Sequence, residues 1–242
     1  MLCLKNLTKK FGPVTAVDKL SFEIEANEIY ALIGANGAGK TTTIKIIAGL
    51  YLPDGGSVEF LGKNILGDNP LEKRFIGYIP DEPIFYPGLS GIEFLNFISA
   101  LHNVPEKRKG EILAKFSKIF PFREILEGNP ESYSRGNKQK LAICAAFLPD
   151  PKLLLVDEPI VGLDPQSAQA TLELFVTFAK AGGAILVSTH TLSVAEEIAH
   201  RVGIIERGKL IAEGSLNSLR QKAKLKTGHL EKVFLKIMQE KE

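Results

Sequence analysis

The sequence predicts an α/β protein, with a mostly parallel sheet flanked by helices, an N-terminal antiparallel β part and a helical insertion. Three observations carry this expectation. Strand-like runs separated by turns fill the first 65 or so residues. From about residue 84 to 150, apolar residues recur at helical spacing. Beyond 150, two apolar runs of strand length, "KLLLVDEP" and "GAILVSTH", enclose the apolar helical stretch "ATLELFVTFAKAG". Strand, helix, strand in that order is the pattern of a parallel sheet with crossover helices.

The elements follow in order along the chain. "LSFEIEANEIYALIG" holds two strand-like runs, the second apolar enough for burial on both faces. "KTTTIKIIAGL" is helical, with Ile44, Ile47 and Ala48 on one face and Gly49 as its C-cap. "DGGSVEFLGKNI" is a hairpin punctuated by Gly55, Gly56 and Gly62. "GIEFLNFISALHNV", "KGEILAKFSKIF" and residues 138–148 are helices of the insertion. "VGIIERGKLIAEG" turns at Arg207-Gly208 as a second hairpin. The tail from about Leu219 is basic and helical in pattern, which predicts a solvated terminal helix. One domain of 242 residues results: a core from 1–83 and 151–220, a helical subdomain over 84–150 and a tail over 221–242.

Composition narrows the function classes. A formal net charge of +2 gives no case for nucleic-acid binding. Two cysteines, Cys3 and Cys144, cannot build a disulfide framework and point to a reducing compartment. "MLCLKNLTKKFG" lacks the apolar stretch of a signal peptide, and no window approaches the roughly 18 consecutive apolar residues of a membrane span. The expected location is cytosolic, with any membrane role exercised through a partner.

Open parallel sheets bind ligands beyond the carboxyl ends of their strands, so the polar strand ends carry the candidate chemistry. "GANGAGKT" runs from Gly34 through Ala35, Asn36, Gly37, Ala38, Gly39 and Lys40 to Thr41. It matches the phosphate-binding loop Gly-x-x-x-x-Gly-Lys-Thr, between a buried strand and a helix. Its glycines let consecutive N–H groups face one concavity, and the helix N-terminus adds its dipole there. Lys40 is the candidate for the β- and γ-phosphates, Thr41 for Mg²⁺ and Thr42 for the α-phosphate side. "LLLVDEP" ends a buried strand on Asp157 and Glu158, expected as the acidic Mg²⁺ partner and the base that polarises the attacking water. His190 ends the neighbouring strand run "AILVSTH" and is placed to bond a γ-phosphate and hold the water. His102, His200 and His229 have no such context. A second helix start, "YSRGN", residues 133–137, also exposes backbone N–H groups to an anion.

Together these residues resemble the ATP-binding cassette (ABC) ATPases, the motor subunits of ABC transporters, over about residues 1–220. "GANGAGKT" is similar to the family's Walker A loop, "LLLVDEP" to Walker B, "VGLDP" with Asp164 to the D-loop, "STH" to the switch histidine, and "YSRGN" to the signature Leu-Ser-Gly-Gly-Gln. The resemblance implies a P-loop NTPase core with a helical signature subdomain, and ATP and Mg²⁺ as cofactors. It also implies a head-to-tail dimer with a second cassette around two ATPs. Ser134 and Gly136 would then face the γ-phosphate held by the partner chain, which explains two anion sites in one sequence, with Asn137 beside them at the place of a ribose or dimer contact. An aromatic upstream would stack on adenine, a role that falls to Phe11 with Val17 packing nearby.

Three positions depart from the family pattern. "YIPDEP" resembles the Q-loop, but Asp81 stands where the glutamine contacts Mg²⁺, and is carried over as a metal-site residue. Arg135 replaces the signature's first glycine, and Asn137 its last glutamine. The resemblance further implies integral membrane transporter subunits as partners at the inner face of the cell membrane. Their docking surface is expected among Ile84, Phe85, Tyr86 and Leu89, with Phe94 and Phe97 as subdomain core. The closing "LEKVFLKI" resembles the C-terminal helix of cassettes serving drug, antibiotic or polysaccharide exporters. Export is thus the first expectation; an importer cassette or a non-transport, regulatory ATP-binding protein are the alternatives.

Overall fold

The computed structural model describes residues 1–67, 71–225 and 227–239. β1 (Leu2–Phe11) and β2 (Val14–Ile24) pair antiparallel, and β3 (Ile29–Ile33) leads through a glycine-rich loop into α1 (Lys40–Ile47). β4 (Gly55–Phe60) and β5 (Lys63–Asn64) form the expected hairpin, and β6 (Ile76–Ile79) follows. The insertion contains α2 (Gly91–Leu101), α3 (Glu106–Ile119), α4 (Arg123–Glu127) and α5 (Arg135–Phe147). The chain then alternates: β7 (Leu153–Asp157), α6 (Pro165–Lys180), β8 (Ala184–Thr189), α7 (Leu192–Ile198), β9 (Arg201–Glu206). β10 (Lys209–Gly214), α8 (Leu216–Lys222) and α9 (Leu230–Gln239) complete it.

These strands build two sheets. An antiparallel one runs β2-β1-β4-β5, and a mixed one runs β10-β9-β3-β8-β7-β6. Every pairing from β9 through β6 is parallel; only the β9–β10 hairpin is antiparallel. Every residue of β3, β7 and β8 is buried, as their uninterrupted apolar runs require of strands covered on both faces. The predicted α/β class, with its N-terminal antiparallel part, is the observed one. In the parallel sheet Ile33 lies opposite Thr189, and Asp157 opposite Ser188. The carboxyl ends of β3, β8 and β7 therefore stand side by side.

The helices of the insertion are anchored rather than appended. Ser90 and Glu93 close a capping box at the start of α2. Phe116 of α3 packs against Phe120, Phe122 and Phe147, and this aromatic group shares one core with Leu154 and Val156 of β7. α1 ends close to expectation: Ala48 is its cap, and Gly49, at φ 82°, turns the chain with its N–H on Ile46 and that of Leu50 on Lys45. Phe94 is core as expected, but Phe97 is 41% exposed and packs edge-on to Tyr86 at 5.0 Å.

The tail differs from its expectation. It forms two helices, and the second is not solvated: Leu230, Val233 and Ile237 are buried against Ala31 and Ile33 of β3 and Val202 and Ile204 of β9. The spacing i, i+3, i+7 puts these three on one stripe, while Lys232 and Lys236 occupy the rest of the helix surface. Basic composition concealed an apolar face. The last three residues of the predicted tail, 240–242, lie outside the described residues.

Candidate functional site

The loop after β3 gains its shape from two left-handed glycines, Gly37 at φ 79° and Gly39 at φ 107°. A Cβ on Gly39 would sit 2.3 Å from the carbonyl oxygen of Ala16, so only glycine lets β2 approach the loop this closely. Gly34 is confined in the same way by the Ile205 carbonyl, also 2.3 Å from where a Cβ would lie. Lys40 opens α1 and is 6% exposed. Its Nζ donates to the carbonyls of Gly34 at 2.7 Å and Ala35 at 3.0 Å, which folds the side chain back over the loop. Burial lowers its pKa, with the carboxylates of Glu158 and Asp157 opposing that shift. The result is a desolvated cation among backbone N–H groups, an arrangement suited to phosphate.

Across from the loop, Asp157 ends β7 and is 2% exposed. Its carboxylate accepts from the Ser188 hydroxyl, and burial pushes its pKa up, opposed by the hydroxyls of Ser188 and Thr41. A buried carboxylate beside a hydroxyl offers hard oxygen donors, and this set fits Mg²⁺. Glu158 comes next, with a left-handed φ of 51° that is uncommon for a branchless charged residue. Its backbone N–H donates to the Ser188 carbonyl at 2.9 Å. Its carboxylate accepts from the Thr189 hydroxyl and from the His190 N–H, each at 3.0 Å, and lies 2.6 Å from His190 Nδ1. Adjacent acids thus serve different neighbours.

A cavity of about 510 Å³ brings many of the predicted groups together, but Gly34, Ala35 and Asp157 do not line it; Asp157 lines a neighbouring pocket with Thr41 and Asp81. Asn36 to Thr42, Phe11, Glu158 and His190 all line it. Phe11 is 45% exposed and meets Tyr51 edge-on at 5.5 Å, leaving ring surface toward the cavity. Val17 does not join it. That side chain is fully buried in the core, and its neighbour Ala16 lines the cavity instead. Val161 and Arg135 line it as well, and neither carries a motif signal for this position. Ser188 and Thr189, given no role from the sequence, hold the acidic pair through their hydroxyls; two hydroxyl residues closing an apolar strand run were the available signal.

The second helix start meets the cavity through Arg135 alone. Ser134 caps α5, its hydroxyl accepting from the Asn137 N–H at 3.2 Å. Gly136 faces the loop after β7 so closely that a Cβ would lie 2.5 Å from the Gly162 carbonyl oxygen. Ser134, Gly136 and Asn137 do not line the cavity described above. Asp164 caps α6 through Ser167 and pairs with Lys140 at 3.2 Å, which holds its carboxyl well below the usual range. Asp81 borders the cavity beside Thr41, but its Oδ1 accepts from the Arg135 guanidinium.

The family model described as "ABC transporter" matches residues 17–161, spanning the loop, both helix starts and the acidic pair. The chain belongs to this family. Among ABC relatives, it is 35% identical to the ABC-type transporter ATP-binding protein EcsA of Bacillus subtilis, over 99% of this chain and 97% of that protein. It is 36% identical to the lantibiotic transport ATP-binding protein SrtF of Streptococcus pyogenes, over 88% and 90% of the two chains. Among solved structures, an ATP-binding subunit of an ABC transporter superposes with a TM-score of 0.92 at 32% identity, covering 98% of this chain and 99% of that one. A dimeric ABC cassette, MJ0796, in a post-hydrolysis state bound to ADP and Pi superposes with a TM-score of 0.80 at 25% identity, covering 89% and 99%. This chain is therefore an ABC transporter ATP-binding subunit, and ABC cassettes are ATPases. Among the described residues, no helix is long and apolar enough to cross a membrane.

Proposed function

We propose that this cassette hydrolyses ATP as one half of a dimer and so drives export through separate membrane subunits, from the cytoplasmic face. The observation that carries the reading is the Glu158 carboxylate, oriented by three groups of β8 and its end, lining the same cavity as the phosphate loop. In this reading Lys40 and the N–H groups of residues 34–41 bind the triphosphate, Thr42 serves its α-phosphate side, and the exposed ring of Phe11 stacks on the base. Thr41 and Asp157 would hold Mg²⁺, with Asp81 at its margin, and the metal would supply neutralisation of the triphosphate charge. Glu158 accepts the proton of the attacking water, and His190 keeps that carboxylate aimed.

Ser134, Gly136, Asn137 and Asp164 act on the partner's nucleotide. Their position away from this chain's own cavity supports that assignment, as does the dimeric cassette among the structural neighbours. Residues 1–83 and 151–220 serve as nucleotide-binding core and 84–150 as the subdomain that receives the membrane subunit. The receiving surface is a groove of about 290 Å³ lined by Pro83, Ile84, Phe85, Phe94 and Ile98, with Ile84 90% exposed at its rim. Export is favoured over import because relatives such as SrtF are named for lantibiotic transport.

Steady-state phosphate release by the purified chain tests the enzyme reading. Release that depends on Mg²⁺ and stops with EDTA is the expected result; ATP binding without release would establish a regulatory binder instead. Direction is read by reconstituting the chain with the membrane protein encoded beside it and following substrate across vesicles.

A further inference from the structure

Two of the three departures from the family pattern touch each other. Arg135, the first residue of α5, reaches back to Asp81, 54 residues earlier in the loop after β6, and its guanidinium donates to the carboxylate at 2.5 Å. A cation in the first turn of a helix opposes the helix dipole, so this side chain is better satisfied by an external carboxylate than by its own helix end. Its stem lies on Gly162. A Cβ there would be 2.8 Å from Arg135 Cγ and 3.0 Å from its Cδ, so the glycine, at φ 80°, is what admits the stem. The pair therefore joins three segments: the loop after β6, the start of α5 and the loop after β7.

Both partners also line the cavity that holds Lys40, Thr41 and Glu158. We infer that the Arg135–Asp81 ion pair is a strap along the nucleotide cavity, competing with Mg-ATP for both of its own ends. The triphosphate offers Arg135 an anion in place of the carboxylate, and the metal offers Asp81 a cation in place of the guanidinium. Arg135 is accordingly a positioning residue, acting through Asp81 on how readily the cavity opens to nucleotide. The inference rests on the cavity being the ATP site of this cassette. The strap itself requires only that the pair form in the folded chain.

Two measurements test it. In the protein without nucleotide, amide hydrogen exchange at Asn137 and Lys138 should accelerate in both Asp81→Asn and Arg135→Gln, because the start of α5 loses its tether. Unchanged exchange would remove the strap. A fluorescent ATP analogue titrated in EDTA, where no metal role of Asp81 enters, should then bind Asp81→Asn about two- to five-fold more tightly than wild type, the range set by a half-exposed pair. In an Arg135→Gln background the same Asp81→Asn change should bring a smaller gain, because it then removes only the carboxylate's repulsion and frees no cation. An equal gain in both backgrounds, or a loss, would overturn the competition. A chain that binds the analogue in no form would sink the ATP-site assignment, while the exchange data still decide the strap.

Discussion

Glu158→Gln is the most informative single change at the site. Oε1 of Glu158 takes the His190 N–H at 3.0 Å and faces Nδ1 at 2.6 Å, while Oε2 meets the Thr189 hydroxyl. A glutamine can reproduce this with its carbonyl toward His190 and its amide toward Thr189, whose hydroxyl then turns acceptor. The fold is thus retained. What weakens is the charge assistance: bonds to a charged acceptor are worth about 1.5–3 kcal/mol, and to a neutral one about 0.5–1.5. Two such bonds, each weakened by about 1–1.5 kcal/mol, set a ceiling of about 3 kcal/mol on the stability lost, or roughly 6–12 °C in Tm for a chain of this size. The catalytic loss is far larger, because an amide cannot accept the proton of water. A positioned base contributes about a hundred- to ten-thousand-fold, and phosphate release should fall by that much. ATP binding persists, so static light scattering should detect an ATP-dependent dimer that accumulates. Hydrolysis within a few-fold of wild type would refute Glu158 as the base. A Tm drop well beyond this ceiling would instead refute the isosteric argument.

Gly136→Ala places a Cβ 2.5 Å from a backbone carbonyl that cannot rotate away, so a loss of about 1–3 kcal/mol is expected in chemical denaturation. Asp157→Asn should flatten the pH dependence of stability measured without nucleotide. Burial raises the Asp157 pKa in the folded chain, so its contribution is fully present below the ordinary carboxylate value and is lost as pH rises through the folded one. Wild type should therefore weaken across that window relative to the variant, and parallel denaturation curves at each pH would count against the shift. Leu230→Ala should cost about 2–5 kcal/mol, whereas Leu235→Ala, at a residue 53% exposed, should stay within about 0.5. Equal effects at the two positions would contradict the packing of α9.

The legible parts of the fold are those where one physical cause acts alone. β3, β7 and β8 are uninterrupted apolar runs because both faces are covered, and each ends where the apolar run stops. The phosphate loop is legible because glycine, lysine and threonine are each required at fixed offsets. Val17, placed beside the adenine by the resemblance, turns into the core where strand parity breaks. The β1–β2 register shifts between the Leu7, Lys9 and Lys10 pairings, and a one-residue shift exchanges the inner and outer faces. The α9 stripe was masked by lysines on the same helix. The contact between Asp81 and Arg135 had no local signature, since no spacing rule relates residues so far apart in the chain.

The adjacent carboxyl ends of β3, β8 and β7 have a consequence for cooperativity. Asp157, Ser188, Thr189 and Ile33 are paired in backbone ladders, Glu158 bonds the Ser188 carbonyl, and His190 and the phosphate loop follow directly on the ladder ends. Their mutual distances can relax only if the central ladder itself separates, an event close to global unfolding. Activity and near-ultraviolet circular dichroism should accordingly disappear together on heating, with no range in which the protein is folded but its acidic pair is misplaced.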